Sequence, residues 1–234
     1  MDDNDILVKY RIMAAGTRRF SQRRFVDVNL TTISRDLNVD RSAVKQYYET
    51  AEVLLNAILG SFAQKIEAIL LSFINGILIP TVRKGDLEIR KDRLHFATPQ
   101  CARVFFDQVM SHLEAVFDYF LVHYQDLRLF VMESFAPGVN HGCVDKLLCL
   151  FLPVESNPLL AKTENMPELC LTHEAQAEFI QTSVLPMIGY ALFKDSIETL
   201  SPHCNESHKE ETLRSIRKLN ERRVIGQDIF FTIK

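Results

Sequence analysis

The stretch from residue 29 to residue 48, NLTTISRDLNVDRSAVKQYY, restricts the possible folds more than any other part of this sequence. It predicts two short helices joined by a tight corner. Asn29 suits the N-cap of a first helix that ends near Leu37. Asn38 tolerates the left-handed backbone that such a corner requires, and a second helix then runs over residues 41–48. On this spacing, one common core can be faced by Ile33, Leu37, Val39, Val44 and Tyr48.

The other face of the second short helix is polar and cationic. The side chains predicted to point away from the core are Arg41, Ser42, Lys45 and Gln46, and Asp40 is a candidate N-cap. A longer helix over residues 5–20 precedes this pair, because apolar residues recur there at helical spacing: Ile6, Leu7, Tyr10, Met13, Ala14 and Phe20. The three helices together predict a head that contains a helix-turn-helix, whose last helix fits the major groove of DNA.

The charge of the chain is unevenly distributed. The whole sequence carries a formal net charge of −3, which by itself indicates no polyanionic partner. Residues 7–48 hold nine basic and three acidic side chains, so this stretch carries +6 and the remainder carries −9. Such asymmetry indicates a module that faces nucleic acid, provided that the cations share one surface. A solvated, arginine-rich helix face is the alternative reading of the same charges.

Residues 12–59 resemble the N-terminal domain of tetracycline-repressor (TetR) type regulators. In that family an Ala-rich first helix ends at a Phe, and the second helix opens with the pattern apolar-x-x-Ile-Ala. A Gly-Val corner follows, and then a recognition helix with the pattern Thr-Leu-Tyr-x-x-Phe. The fourth helix starts with Lys-Glu-x-Leu. The matching positions here are Phe20, then Leu30, Ile33 and Ser34, then Asn38 and Val39, then residues 43–48, and finally residues 51–54. The sequence departs from the family pattern at Asn38 (usually Gly), Lys45 (usually Tyr) and Ala51 (usually Lys).

The resemblance implies a repressor that binds a palindromic operator in double-stranded DNA as a homodimer and is released by a small-molecule effector. Arginine pairs with guanine and glutamine with adenine, so Arg41 and Gln46 are the candidates for base contacts, with Ser42 on the same surface. The candidates for phosphate contacts are Thr31, Thr32, Lys45 and Tyr47. We expect a DNA-binding domain at residues 1–48 and an effector-binding and dimerisation domain at 49–234.

The remainder of the chain predicts an all-α body. A long amphipathic helix is expected from about Glu52 to Ile79, where Pro80 ends it, followed by a polar connector at residues 82–93. A final helical pair at about 171–199 and 206–224 is the candidate dimer surface, with Pro186 interrupting its first helix. No strand-like alternation occurs outside the tail DIFFTIK.

An aromatic-rich stretch from residue 101 to residue 135 is the candidate effector pocket. His112 and His123 are eleven residues apart, three helical turns, and are therefore expected on one helix face. The residues proposed to hold an apolar or aromatic effector are Phe105, Phe106, His112, Phe117, Phe120 and His123. An ordinary core in which neighbouring groups satisfy the histidines is the alternative.

Enzyme, metal and membrane signals are weak in this sequence. No Gly-rich phosphate loop, G-x-S-x-G or H-E-x-x-H motif occurs, and no cofactor is expected. The segments HCNESH (His203, Cys204, His208) and HGC (His141, Cys143) lack a full set of four metal donors.

The five Cys show no paired spacing, the opening MDDNDI resembles no signal peptide, and the most apolar run, residues 66–80, is short for a bilayer. We therefore expect a soluble, cytoplasmic protein with no membrane partner. A helical adaptor whose N-terminal module binds a protein, and an enzyme with an unrecognised helical active site, remain the alternatives to a regulator.

Overall fold

The protein is mostly helical, as predicted. The computed structural model describes residues 3–22, 28–89, 94–152, 157–162, 173–200, 208–225 and 231–233. The chain divides into two compact units, the first made of residues 1–65 and 123–144 and the second of residues 66–122 and 145–234. The predicted domain boundary after residue 48 stays a prediction.

The first unit combines the N-terminal helices with one helix from the middle of the chain. Its helices are α1 (Asp3–Gln22), α2 (Leu30–Leu37), α3 (Arg41–Tyr47), the first part of α4 (Ala51–Phe73) and α7 (Tyr124–Phe135). Helix α1 packs against both α2 and α7. The Thr17 hydroxyl on α1 donates a hydrogen bond of 2.7 Å to Asp126 on α7, and the rings of Phe62 and Phe130 lie 5.6 Å apart.

The buried face of α1 differs from the predicted one. Of the predicted residues, Phe20 is buried as expected, whereas Ile6, Leu7, Tyr10 and Ala14 are exposed. Ile12 and Ala15, which were not predicted, also enter the core. Gly16 is buried on the same helix, and a Cβ at this position would lie only 3.0 Å from side-chain atoms of Leu54 and Ile58 on α4. An apolar count along one helix does not reveal such tertiary neighbours.

The second unit contains the remaining elements. They are the rest of α4, a π-helical segment (Ile74–Leu78), α5 (Ile79–Arg83), β1 (Leu87–Ile89), β2 (Leu94–Phe96), α6 (Pro99–Val122), most of α8 (Cys143–Cys149), α9 (Pro158–Ala161), α10 (His173–Phe179), a second π-helical segment (Ile180–Val184), α11 (Leu185–Leu200), α12 (His208–Ile225) and β3 (Phe231–Ile233). The predicted final pair of helices is confirmed by α10–α11 and α12. Helix α6 packs against both α11 and α12.

Pro80 does not end the long helix, contrary to the prediction. The helical path continues to Arg83, because the π-helical segment before the proline changes the hydrogen-bond register: the N–H of Ile79 donates to the carbonyl of Ile74, five residues back. Pro80 then lies in the first turn of α5, where a missing N–H is tolerated. Pro186 follows the second π-helical segment in the same way, and the helix there is also locally distorted rather than ended.

A small sheet lies where a polar connector was predicted. Strands β1 and β2 pair antiparallel with Leu87 opposite Phe96, and β3 from the tail pairs parallel with β2. Leu87 and Phe96 are each 1% exposed, so their burial stabilises the hairpin. Strand β3 lies in the tail, where strand-like alternation was noted, whereas the three-residue strands β1 and β2 were not indicated by the sequence.

Among the described residues, one helical path is long and apolar enough, by length and composition, to cross a membrane. It runs over Ala51–Arg83, 33 residues with a hydropathy of 1.6 in its most apolar window. The helical path is longer than the predicted apolar run, because it begins at Ala51, fifteen residues before that run, and continues past Pro80 to Arg83. Core helices of soluble proteins satisfy the same criterion, and Glu67 within this path forms an ion pair with Lys162. The cytoplasmic location stays a prediction.

Candidate nucleic-acid interface

The corner between α2 and α3 has the geometry that its two asparagines predict. The side chain of Asn29 accepts a hydrogen bond of 3.0 Å from the N–H of Thr32, so the N-cap prediction is confirmed. Asn38 adopts φ 54° and ψ 47°, the left-handed conformation, as predicted. Asp40 occupies the N-cap position of α3, but its side chain makes no capping hydrogen bond. Local polar groups therefore fix the end of α2 and the turn that follows.

The core side of this corner is largely as predicted. Ile33 and Val44 are both 0% exposed, and Tyr48 is buried. Leu37 is half-buried, whereas Val39 is 43% exposed and does not belong to the core. Val39 follows the left-handed residue and its N–H donates to the carbonyl of Ser34, which closes the end of α2 and leaves the side chain outside.

The four residues predicted on the outer surface of α3 are all exposed. Arg41, Ser42, Lys45 and Gln46 are exposed while Val44 of the same helix is buried, and we call these four residues the α3 outer face. One guanidinium, one ammonium, one amide and one hydroxyl therefore project from less than two turns of helix. These groups supply many hydrogen-bond donors and two positive charges.

Asp36 does not neutralise the α3 outer face. Its carboxylate is held by the guanidinium of Arg19 on α1 in a bidentate ion pair. The hydrogen bonds from Arg19 lower the pKa of Asp36 below its usual value, and the charges of Arg18 and Arg35 act in the same direction. A cap or surface pair of Arg41 with Asp40 or Asp36 is the alternative to base contact, and of these two carboxylates Asp36 is engaged by Arg19.

The predicted phosphate-contacting residues differ in how they are engaged. Thr31 is exposed, whereas the hydroxyl of Thr32 donates a hydrogen bond of 2.6 Å to the carbonyl of Asn29. The hydroxyl of Tyr47 donates to Oδ1 of Asp5 at 2.9 Å. This hydrogen bond raises the pKa of the Tyr47 phenol above its usual value. Two of these side chains are thus already committed to protein acceptors.

Further cations of the first unit lie on its surface. Arg11 and Arg18, seven residues apart on α1, are exposed, and so is Arg35 on α2. Seven residues are close to two helical turns, so Arg11 and Arg18 share one face of α1. Arg23 and Arg24, which also contribute to the charge of the stretch, lie outside the described residues.

Four of the predicted effector-contacting residues are buried aromatics on α6. Phe117 and Phe120 are 0% exposed, and Phe105 and Phe106 are nearly as buried. The ring of Phe105 lies 6.0 Å from Phe73 and 5.5 Å from Phe96, whereas the ring of Phe117 lies edge-on to Tyr190 at 5.5 Å. The structure therefore brings these phenylalanines into two neighbourhoods of the second unit.

The two predicted polar handles do not share a helix. His112 lies on α6, where its ring is 5.2 Å from Phe73 and its Nδ1 is 3.1 Å from the carbonyl of Gln108. His123 lies between α6 and α7 and belongs to the first unit, where its Nδ1 is 3.2 Å from Asp126. The expectation of a shared helix face is wrong, because α6 ends at Val122 and the backbone turns at His123.

A groove of about 430 Å³ lies along α11 and α12 in the second unit. Its lining includes Tyr190, His208, Glu211 and Leu219, and none of the six predicted effector-contacting residues. Nδ1 of His208 is 3.6 Å from Glu211, and the hydroxyl of Tyr190 is 3.4 Å from Glu198. The groove is therefore mixed in character, with an apolar floor and carboxylates at its margin.

The two candidate metal segments form no metal site within the described part of the chain. His203 and Cys204 lie outside it, and among the described residues no group of three His, Cys, Asp or Glu side chains is arranged to hold a metal ion. Cys143 is buried and its thiol donates to the carbonyl of Phe130 at 3.0 Å, while His141 is exposed.

Sequence reasoning missed Asp5 as a partner of Tyr47 and Arg19 as the partner of Asp36. Both pairs join α1 to the α2–α3 corner across 42 and 17 residues of sequence, respectively. No local spacing rule relates residues so far apart. The only available signal was the presence of acidic residues in a stretch that is otherwise strongly basic.

Comparison of the chain with models of known protein families found no match, and neither did comparison with curated proteins.

Proposed function

We propose that this protein is a homodimeric transcriptional repressor that binds operator DNA through the α3 outer face and is released by a small apolar or aromatic effector. The observation that carries the proposal is the combination of a left-handed corner at Asn38 with four exposed polar side chains on the helix that follows. The two short helices and their corner are interpreted as a helix-turn-helix, with α3 as the recognition helix.

The dimensions and charges of α3 suit a major groove. An α-helix with its side chains is about 10–12 Å in diameter, and the major groove of B-form DNA is about 12 Å wide. Arg41 and Gln46 have the donors for guanine and adenine edges, and Lys45 supplies a point charge for a phosphate. The N-terminus of α2, with exposed Thr31, is assigned to the DNA backbone, as the first helix of such a motif crosses it.

A palindromic operator calls for two heads related by a two-fold axis. We assign the pairing surface to α11 and α12. Leu185, Phe193 and Leu200 are exposed on α11 at spacings of eight and seven residues, so they share one helix face. Exposed apolar residues on one face of a helix are what a self-complementary interface needs.

The effector is assigned to the aromatic neighbourhood of the second unit around Phe73, Phe96 and Phe105. His112 adjoins Phe73 and is only half-buried, so its ring can orient a ligand through one polar contact. Buried phenylalanines such as Phe117 fit the alternative of an ordinary core equally well. Identification of a co-purified compound by mass spectrometry tests this part of the proposal.

The test of DNA recognition is Arg41→Ala on a panel of operator variants. Duplexes are first selected from a random pool, and binding is then measured with single-base changes across the selected site. We expect Arg41→Ala to cost about 1–3 kcal/mol and to relax preference at one base pair. Arg103→Ala, the same change at an exposed position of α6 in the second unit, is the matched control and should leave both quantities unchanged. Equal effects of the two changes would overturn the assignment of the α3 outer face.

A protein-binding adaptor is the second candidate, and exposed apolar residues on α1 favour it. Ile6, Leu7 and Tyr10 are 51%, 57% and 66% exposed and lie near one another on the first turns of the helix. Such a patch suits a protein partner better than a phosphate backbone. A wild-type protein that shows no salt-sensitive retention on duplex DNA would favour the adaptor over the repressor.

A further inference from the structure

We propose that Asp5 competes with a DNA phosphate for the hydroxyl of Tyr47, so that the N-terminal helices bind DNA more weakly than they would without the Asp5 carboxylate. This inference rests on the proposed function. It assigns Asp5 as a positioning residue that holds one phosphate-contacting side chain on the protein until DNA replaces it.

The observation is a cluster at the junction of α1 and α3. The Tyr47 hydroxyl donates to Oδ1 of Asp5 at 2.9 Å, and Nζ of Lys9 lies 6.0 Å from the centroid of the same ring. Asp5 and Lys9 are four residues apart and thus share a face of α1. The phenol is therefore held at its hydroxyl by an anion and over its ring by a cation.

The chemistry of a phenol permits only one such partner at a time. A tyrosine hydroxyl has a single O–H, so donation to Asp5 and donation to a phosphate exclude each other. Both acceptors are anions and both form charge-assisted hydrogen bonds of similar strength. A phosphate that approaches Tyr47 must therefore displace the carboxylate and also lies close to its negative charge.

The position of Tyr47 makes this exchange relevant to binding. It immediately follows Gln46 of the α3 outer face and is itself half-buried, with its neighbours Lys45 and Gln46 exposed. The proposed exchange consists of a rotation of the Tyr47 side chain from Asp5 toward a phosphate beside the C-terminal end of α3.

The experiment is a double-mutant cycle on duplex DNA at one fixed low salt concentration. The proteins are the full-length wild type, Asp5→Ala, Tyr47→Phe and the double variant, and circular dichroism checks that each is folded. We expect Asp5→Ala to tighten binding about tenfold. Tyr47→Phe should weaken the Asp5→Ala protein about tenfold and the wild type by a smaller factor, because in the wild type the phosphate only replaces the hydrogen bond to Asp5. Asp5→Asn keeps an acceptor without the charge and should fall between wild type and Asp5→Ala.

The matched control is Asp40→Ala, which removes a negative charge from an exposed position of the same unit. Any general gain from lost repulsion appears in this variant too, but adding Tyr47→Phe to it should have no more effect than in wild type. The inference is overturned if Tyr47→Phe weakens wild type and Asp5→Ala equally, or if Asp5→Ala and Asp40→Ala behave alike. Failure of every variant to bind duplex DNA overturns the proposed function together with the inference, whereas binding without coupling overturns the inference alone.

Discussion

Asn38 gives the sharpest test of the corner that orients α3. Its backbone is left-handed, with φ 54° and ψ 47°, and both its own N–H and that of Val39 donate to carbonyls at the end of α2. An L-residue in this conformation costs roughly 1–2 kcal/mol, less for asparagine and nothing for glycine. The backbone hydrogen bonds do not depend on the side chain of Asn38. A substitution of Asn38 therefore changes mainly the free energy of adopting the left-handed conformation.

The expected magnitudes follow from that free energy. Asn38→Ala should lower the free energy of unfolding by about 1 kcal/mol, and Asn38→Gly should match or exceed wild type. At an exposed position inside a helix the order of the two residues reverses, because glycine costs about 1 kcal/mol relative to alanine. Ala14, exposed on α1, provides this control through Ala14→Gly.

The assay is urea denaturation of the four proteins with a common slope, so that midpoints report stability directly. The protein with glycine at position 38 should be more stable than the protein with alanine there. At position 14 the protein with glycine should be the less stable of the two. The reasoning about the corner is refuted if alanine is as stable as glycine at position 38 while the difference at position 14 appears as expected.

Three further predictions concern the same unit. The hydrogen bond to Asp5 raises the pKa of Tyr47, so this phenol should ionise above the usual tyrosine range, and the stability from this bond should be lost only as pH rises above about 10. The difference between the absorbance titrations of wild type and Tyr47→Phe measures this pKa. Asp5→Ala should lower the pKa of Tyr47. Arg19 lowers the pKa of Asp36, so the stability from this ion pair should be present above about pH 4 and lost as pH falls through the lowered pKa. Carboxyl-carbon NMR should show a higher pKa of Asp36 in Arg19→Met than in wild type. Val44→Ala should cost about 2 kcal/mol in urea denaturation, because Val44 is fully buried and its loss leaves a cavity.

Features decided by neighbouring residues could be predicted from the sequence. Asn29 caps α2 and Asn38 turns the chain because each side chain or backbone acts within three or four residues of itself. The exposure of Ser42 and Gln46 likewise follows from the helical period once Val44 is placed inside, because each is two residues from Val44. For such features the local sequence contains all the physical information that is needed.

Features decided by distant partners could not be predicted. Gly16 of α1 lies against the side chains of Leu54 and Ile58 on α4. The antiparallel partner of Leu87 is Phe96, across a hairpin too short to show a pattern. Asp5 reaches Tyr47 across 42 residues of sequence. In each case tertiary packing selected one of several locally acceptable arrangements.

The measurement that tests the central claim most directly is the salt dependence of binding to duplex DNA. If the α3 outer face contacts DNA, the logarithm of the association constant should fall linearly with the logarithm of salt concentration for the wild type. Lys45→Ala should reduce the slope by about one unit for each bound head and weaken all sequences alike. A slope near zero for the wild type, or an unchanged slope for Lys45→Ala, would contradict the proposal that α3 reads DNA.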